Sequence, residues 1–275
     1  MKTANKILFF VIFGLLIQAC DKIDMPYKQT GNNQGGTETK KVLLEDYTGH
    51  TCPNCPTASR LAISLQGLYA GKLIVMSVHA GFFAEPMSVV PFKDDFRSAA
   101  GSVWNDQFGI SGYPKGMINR MEKGGSTILD HGTWASTVSE MIDEPAVATI
   151  KITTTYDIST RKLDIGLTSK LLSDTTGMYK VQVCIIEDSI VGGQKDGSKI
   201  IKDYMHRHVL REAINTPSGS DLVSGGGPDQ INTEYTHDFS LNLNSAYDDS
   251  HITVVAWIFK ADDNSIIQVE EKKIR

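Results

Sequence analysis

TGHTCPNCP, residues 48–56, holds Cys52 and Cys55, the two cysteines of the chain that are close enough to act as a pair. A strand-like run, VLLEDYTG from Val42, leads into it, and a helix-like run, TASRLAISLQGLY, leaves it. In the second run Leu61, Leu65, Leu68 and Tyr69 fall along one helical face, with Gly71 as a stop signal. A Cys-x-x-Cys unit at a strand-to-helix corner is the layout of a thiol–disulfide site. A helix starting near Cys52 would set that sulfur at the positive end of the helix dipole, favouring its thiolate by roughly 0.3–1 kcal/mol. Cys52 would then attack and Cys55, on the adjacent turn, would resolve. His50, two residues upstream, is placed to steady a thiolate or meet a substrate; its plainer reading is an exposed loop histidine.

The start of the chain sets the compartment. Lys2 and Lys6 precede an eleven-residue apolar stretch, residues 7–17, followed by Gln18, Ala19 and Cys20. Eleven residues fall short of the roughly 20 needed to span a bilayer as a helix, so residues 1–19 read as a signal peptide. A cysteine after a small residue at the cleavage point reads as a lipobox, with Cys20 as the lipidated first residue. Residues 20–40 are polar and rich in Gly, Asn and Gln, a composition that favours a flexible tether. The fourth cysteine, Cys184, lies in the apolar run VQVCII and reads as a buried small hydrophobe.

Residues 41–144 run strand, helix, strand, helix, strand, turn, strand, helix. LIVMSVH, from Leu73 to His79, is a continuous apolar run, as expected for a strand covered on both faces. Residues 93–108 and 133–142 have helical spacing. From residue 145 the pattern changes to short strand-like stretches separated by polar turns, which predicts an antiparallel sandwich. The expected fold is an α/β domain at 41–144 followed by an all-β sandwich at 145–275. MHRHVLREAI, from Met205, fits no element clearly.

GISGYPKG puts Tyr113–Pro114 in a Gly-flanked tight segment just before a strand. The order strand, Cys-x-x-Cys, helix, strand, then a proline opening a later strand resembles the thioredoxin fold. That resemblance implies a cis Pro114 beside the cysteine pair, with Tyr113 on the substrate-facing wall. It also implies a buried carboxylate six residues before the first cysteine, which matches Asp46, with Glu45 as the neighbouring candidate. This chain departs from the pattern: Thr51 stands where a Trp is usual, and Pro53-Asn54 replaces Gly-Pro. EDYTGHTCPNCP, FGISGYPKGMINR, MHRHVLRE and the ending ITVVAWIFKADDNSIIQVEEKKI together resemble the outer membrane protein 28 family of Bacteroidetes lipoproteins. That resemblance implies a thioredoxin-like domain with a C-terminal immunoglobulin-like β-sandwich, anchored in the outer membrane by lipid on Cys20.

Two functional readings follow. The first is thiol–disulfide exchange on exported proteins through Cys52 and Cys55, with Asp46, Glu45 and Pro114 assisting and His50 and Tyr113 meeting the substrate. The second is a surface binding or adhesion lipoprotein in which Cys52–Cys55 is a static bridge. A net charge of −5 without a basic cluster argues against nucleic acid as a partner. No cofactor is expected: Pro56 stands where covalent haem attachment would need a histidine. No metal is expected either, because a structural zinc needs four ligands and nothing in the sequence brings His206 and His208 to the cysteines.

Overall fold

Strand β1 (Val42–Thr48) is buried along its whole length, as is β2 (Leu73–His79). Helix α1 (Cys55–Leu68) connects them, and the two strands pair in parallel from Val42↔Leu73 to Thr48↔His79. A computed structural model describes residues 39–173 and 177–275 of the chain. The signal peptide, Cys20 and nearly all of the tether lie outside the described residues.

Helix α2 (Ala99–Gln107) starts later than its apolar spacing predicts, because Ser98 caps it by accepting from Gly101 N at 3.0 Å. After α2 come β3 (Lys115–Ile118), antiparallel to β1, and helix α3 (Trp134–Met141). Ten strands follow among the described residues: β4 (Ala148–Asp157), β5 (Lys162–Leu171), β6 (Tyr179–Glu187), β7 (Ile190–Asp196), β8 (Lys199–His206), β9 (Val209–Ala213), β10 (Ser220–Asp221), β11 (Glu234–Asn242), β12 (Ile252–Lys260) and β13 (Ile266–Lys273).

These strands do not form a sandwich of their own. Five of them join β1, β2 and β3 in one mixed sheet of eight strands, in the order β13-β12-β6-β9-β2-β1-β3 with β10 added beside β6. β9 joins the halves, antiparallel to β6 and parallel to β2 at Ser77↔Val209. A three-stranded sheet, β11-β5-β4, forms a second layer, and β7-β8 stands as a separate hairpin. Strand accounts for 43% of the described residues and helix for 17%. The expected α/β thioredoxin-like domain followed by an immunoglobulin-like sandwich is therefore corrected: the fold is β-rich, with mixed sheets and few helices. The physical reason lies at the free edge of β2. An apolar strand with unpaired backbone must be paired or covered, and β9 and β6 extend it. VQVCII gives the same answer, since a run buried on both faces belongs in the middle of a sheet.

One core crosses the junction. Leu43, Tyr47, Met76 and Met117 pack with Cys184, Val255, Trp257 and Val269 under α2. On the opposite face of β1 and β2, α1 and α3 cover Val42, Leu44, Leu73 and Val75. The second layer contributes Leu163, Ile165 and Leu167 against Val183, Ile185 and Val254.

Candidate functional site

Beyond Thr48 the chain turns through Gly49, His50 and Thr51 into the cysteine pair. Gly49 is required here, since a Cβ would run into the backbone of Phe83. The Phe83 carbonyl accepts from both Thr51 N at 3.0 Å and Thr51 Oγ1 at 2.9 Å. The helix begins at Cys55, three residues after the expected start, with Asn54 as an N-cap that makes no side-chain hydrogen bond. Cys52 therefore precedes the helix. It is bonded to Cys55 as a disulfide with the Cα atoms 5.5 Å apart, and Cys55 N points at its Sγ from 3.2 Å.

Both cysteines are sealed, each 1% exposed. The roof is the β7-β8 hairpin. Gln194 Nε2 donates to the Cys52 carbonyl at 3.1 Å and to that of Gly49 at 3.3 Å. Lys195 N donates to the His50 carbonyl at 2.8 Å, and Gly197 N to that of Pro53 at 2.7 Å. Arg60 on α1 pairs with Asp196 at 2.9 Å. Close approach fixes the hairpin's own glycines: a Cβ on Gly193 would strike Pro91, and one on Gly192 would strike Phe96.

The other predicted residues divide by face. Asp46 points toward α1, where it accepts from Ser59 Oγ at 3.0 Å on one oxygen, and among the described residues the other oxygen has no partner. Burial raises its pKa to about 7, opposed by the Ser59 hydrogen bond. Glu45 points the opposite way, fully buried in a two-point contact with Arg120, with both N–O distances 2.8 Å. The Arg120 guanidinium lies 5.0 Å from the Trp104 ring centre, 4.9 Å from Phe108 and 5.4 Å from Trp257. Glu45 is thus committed to an ion pair.

The Tyr113–Pro114 bond is cis. Tyr113 hydrogen-bonds Asn105, and its ring meets Phe83 edge-on at 6.2 Å, so Phe83 bridges Tyr113 to the cysteine corner. A cleft of about 330 Å³ opens beside that corner, lined by Thr51, Phe82, Phe83, Pro86, Met87 and Lys195. His50 is buried, in contrast to its loop reading, and stacks on Phe92 at 5.6 Å. Burial lowers its pKa.

His79 and His206 were not expected at the site. Each is 3% exposed, and their ring centres are 5.3 Å apart. The available sequence signal was Gly192–Gly193, since paired glycines inside a strand mark a close backbone approach. Among the described residues, no group of three His, Cys, Asp or Glu side chains converges as metal ligands.

Fold and corner define a class: a β-rich, mixed-sheet protein with a disulfide enclosed beneath a hairpin. The chain belongs to the family of outer membrane protein Omp28, whose sequence profile matches residues 102–275. It is accordingly an outer membrane protein of the cell envelope. Among solved structures, HBP35 of Porphyromonas gingivalis is similar at a TM-score of 0.68 and 18% identity, over 87% of this chain and 76% of that one. Protein AGR_C_4864 from Agrobacterium tumefaciens is similar at 0.51 and 12% identity, over 87% of this chain and 97% of its own. A domain of the outer membrane lipoprotein Omp28 from Porphyromonas gingivalis matches at 0.34 and 18% identity, over 47% of this chain and 89% of that domain. No curated protein matches the chain.

Proposed function

We propose that this chain is a binding lipoprotein of the outer membrane and that Cys52–Cys55 serves it as a structural bridge. One observation carries the reading: both cysteines are 1% exposed beneath the hairpin that bonds to Gly49, His50, Cys52 and Pro53. Exchange needs a thiolate to reach a disulfide sulfur, and a roofed sulfur denies that approach. The binding surface we assign is the outer face of β4, β5 and β11. A trough of about 410 Å³ there is lined by Thr153, Thr155, Asp164, Asp238, Phe239 and Ser240. Gly166 keeps its floor open, because a Cβ would press on Thr153 Oγ1.

The rival reading is exchange on exported proteins, with Cys52 attacking and Cys55 resolving. It draws on Asp46, a buried carboxyl with a free oxygen and a pKa of about 7, suited to proton transfer at neutral pH. Purified protein offered a model disulfide substrate at pH 7 separates the two. A structural bridge gives no turnover above the Cys52→Ser variant and a reduction potential below roughly −300 mV. Turnover that Cys52→Ser abolishes would replace this reading with the exchange one.

A further inference from the structure

The roof over the disulfide extends neither of the larger sheets. β7 and β8 pair with each other and with no other strand. A two-stranded hairpin has little stability of its own, so its position depends on what it rests against. Part of that support is histidine. The ring of Phe96, itself buried, has three imidazoles around it: His206 at 4.4 Å, His79 at 5.2 Å and His50 at 5.8 Å. His206 belongs to the hairpin, His79 ends β2, and His50 sits in the cysteine corner. Among the described residues, His79 Nδ1 and His206 Nε2 have no hydrogen-bond partner.

We propose that β7-β8 is an acid-released lid: protonation of His206 and His79 frees the hairpin and bares the Cys52–Cys55 disulfide to a reductant. The inference rests on the bridge being sealed at neutral pH. Uncharged, the imidazoles pack on Phe96 at little cost. Charged, two cations 5.3 Å apart would be enclosed with His79 Nδ1 and His206 Nε2 lacking acceptors, and lifting the hairpin returns them to water.

The surrounding charges do not reverse this. Arg211 on β9 faces His79 and opposes a charge there, and it is itself occupied by Glu187 at 3.3 Å. His206 gains some support from the Gly193 backbone and is opposed by His50. Asp94 and Asp95 face His50, as does Arg97, and Glu85 reaches it through its backbone. Asp188, past the end of β7-β8 pairing, is taken up by Arg207 and His208. Asp46 and Tyr204 face each other on the α1 side.

The direction follows from linkage. Burial lowers the pKa of His206 to about 4 with the lid closed and lowers that of His79 well below the usual range. With the lid open both return toward about 6.5. The closed state is therefore fully favoured above about pH 6.5 and is weakened as pH falls from there toward about 4. Between pH 7 and pH 5, His206 alone raises the open fraction roughly 20-fold, and His79 adds to this.

A water-soluble trialkylphosphine tests the lid, because its attack does not require an ionised thiol. Phosphorus attacks one sulfur, the S–S bond breaks, and the departing sulfur takes a proton. Water then releases the second thiol and leaves the phosphine oxide, with both electrons supplied by phosphorus. Rates for the protein are divided by those for oxidised glutathione at the same pH. We expect this ratio to rise at least tenfold from pH 7 to pH 5. Exchange of the Lys195 and Gly197 amides, corrected for intrinsic rates, should accelerate in parallel while β12 amides stay protected. His206→Gln with His79→Gln should flatten the pH response. Asp196→Asn should raise the ratio a few-fold equally at both pH values, because it loosens the latch to Arg60 without touching the imidazoles.

A ratio that does not change with pH overturns the lid, as does a rise that survives in the double variant or opening of β12 together with the hairpin. If the double variant fails to fold, the amide pattern and the Asp196→Asn ratios still decide. Reduction at pH 7 as fast as that of glutathione would instead overturn the sealed bridge itself.

Discussion

Arg120 follows Asn119, and both hold positive φ angles, 50° and 48°, that side chains other than glycine seldom adopt. The backbone is held there because Asn119 Oδ1 accepts from Leu43 N at 2.8 Å and the Asn119 carbonyl accepts from Ile266 N at 2.8 Å. The turn drives the guanidinium into the core, onto Glu45 and three aromatic rings. Removing one partner leaves a buried charge, so Arg120→Met should cost about 3–5 kcal/mol in urea unfolding. Glu45→Leu with Arg120→Met should recover most of that loss. Asp46, on the other face of the same strand, carries the opposite cost. Its folded pKa of about 7 lies above the ordinary 3.8, so the favourable contribution present below about pH 4 is lost as pH rises toward 7. Asp46→Asn should remove that slope and leave the variant more stable than wild type by about 1–4 kcal/mol at pH 8. Urea midpoints from pH 4 to pH 8 check it, and a wild-type midpoint flat across that range would contradict it. The sequence marked both carboxylates by their spacing to Cys52 but could not assign their partners, because Arg120 and Ser59 are separated from them by 75 and 13 residues.

Elements were legible in proportion to how local their causes are. β1, α1 and β2 follow from apolar runs, helical spacing and the Gly71 stop within 38 residues of chain, and the structure has all three. The hairpin was not legible. Val191, Ile200 and Met205 point into solvent while Gly192 and Gly193 press inward, so its pattern reads as an irregular polar stretch. What fixes it is contact with Pro91, Phe96 and the cysteine corner, more than ninety residues upstream. That contact makes Gly193 the sensitive position. Gly193→Ala places a methyl group against the Pro91 carbonyl, an overpacking cost of about 1–3 kcal/mol borne by the hairpin alone. The disulfide should become roughly 5- to 150-fold more open to phosphine at pH 7. The midpoint of thermal unfolding should move by only about 2 °C or less, since the large sheet is untouched. A large loss of thermal stability without faster reduction would place Gly193 in the global core instead.

For the whole molecule, the change of pattern near residue 145 suggested two independent folds because sequence periodicity reports which face of a strand is buried, not which strand lies beside it. The pairing of β2 with β9 spans more than 130 residues, and no local signal encodes it. Its consequence is energetic. β2 would present an open apolar edge without β9, and Trp104 and Met117 would lose Trp257, Val255 and Val269 from their shared core. Trp104 would also lose the Pro217 carbonyl that accepts its indole N–H at 2.8 Å. Burying an aromatic ring of this size is worth several kcal/mol, comparable to the roughly 5–15 kcal/mol that holds a whole domain folded. A fragment of residues 39–144 should therefore fail to unfold cooperatively, bind a hydrophobic dye at neutral pH and lack the fixed near-ultraviolet dichroism of Trp104. Adding residues 145–275 as a separate chain should reverse all three if the shared sheet is the cause. A fragment that melts sharply on its own would mean that α1, α3 and the β1-β2-β3 sheet suffice as a folding unit, with β9 docking afterward.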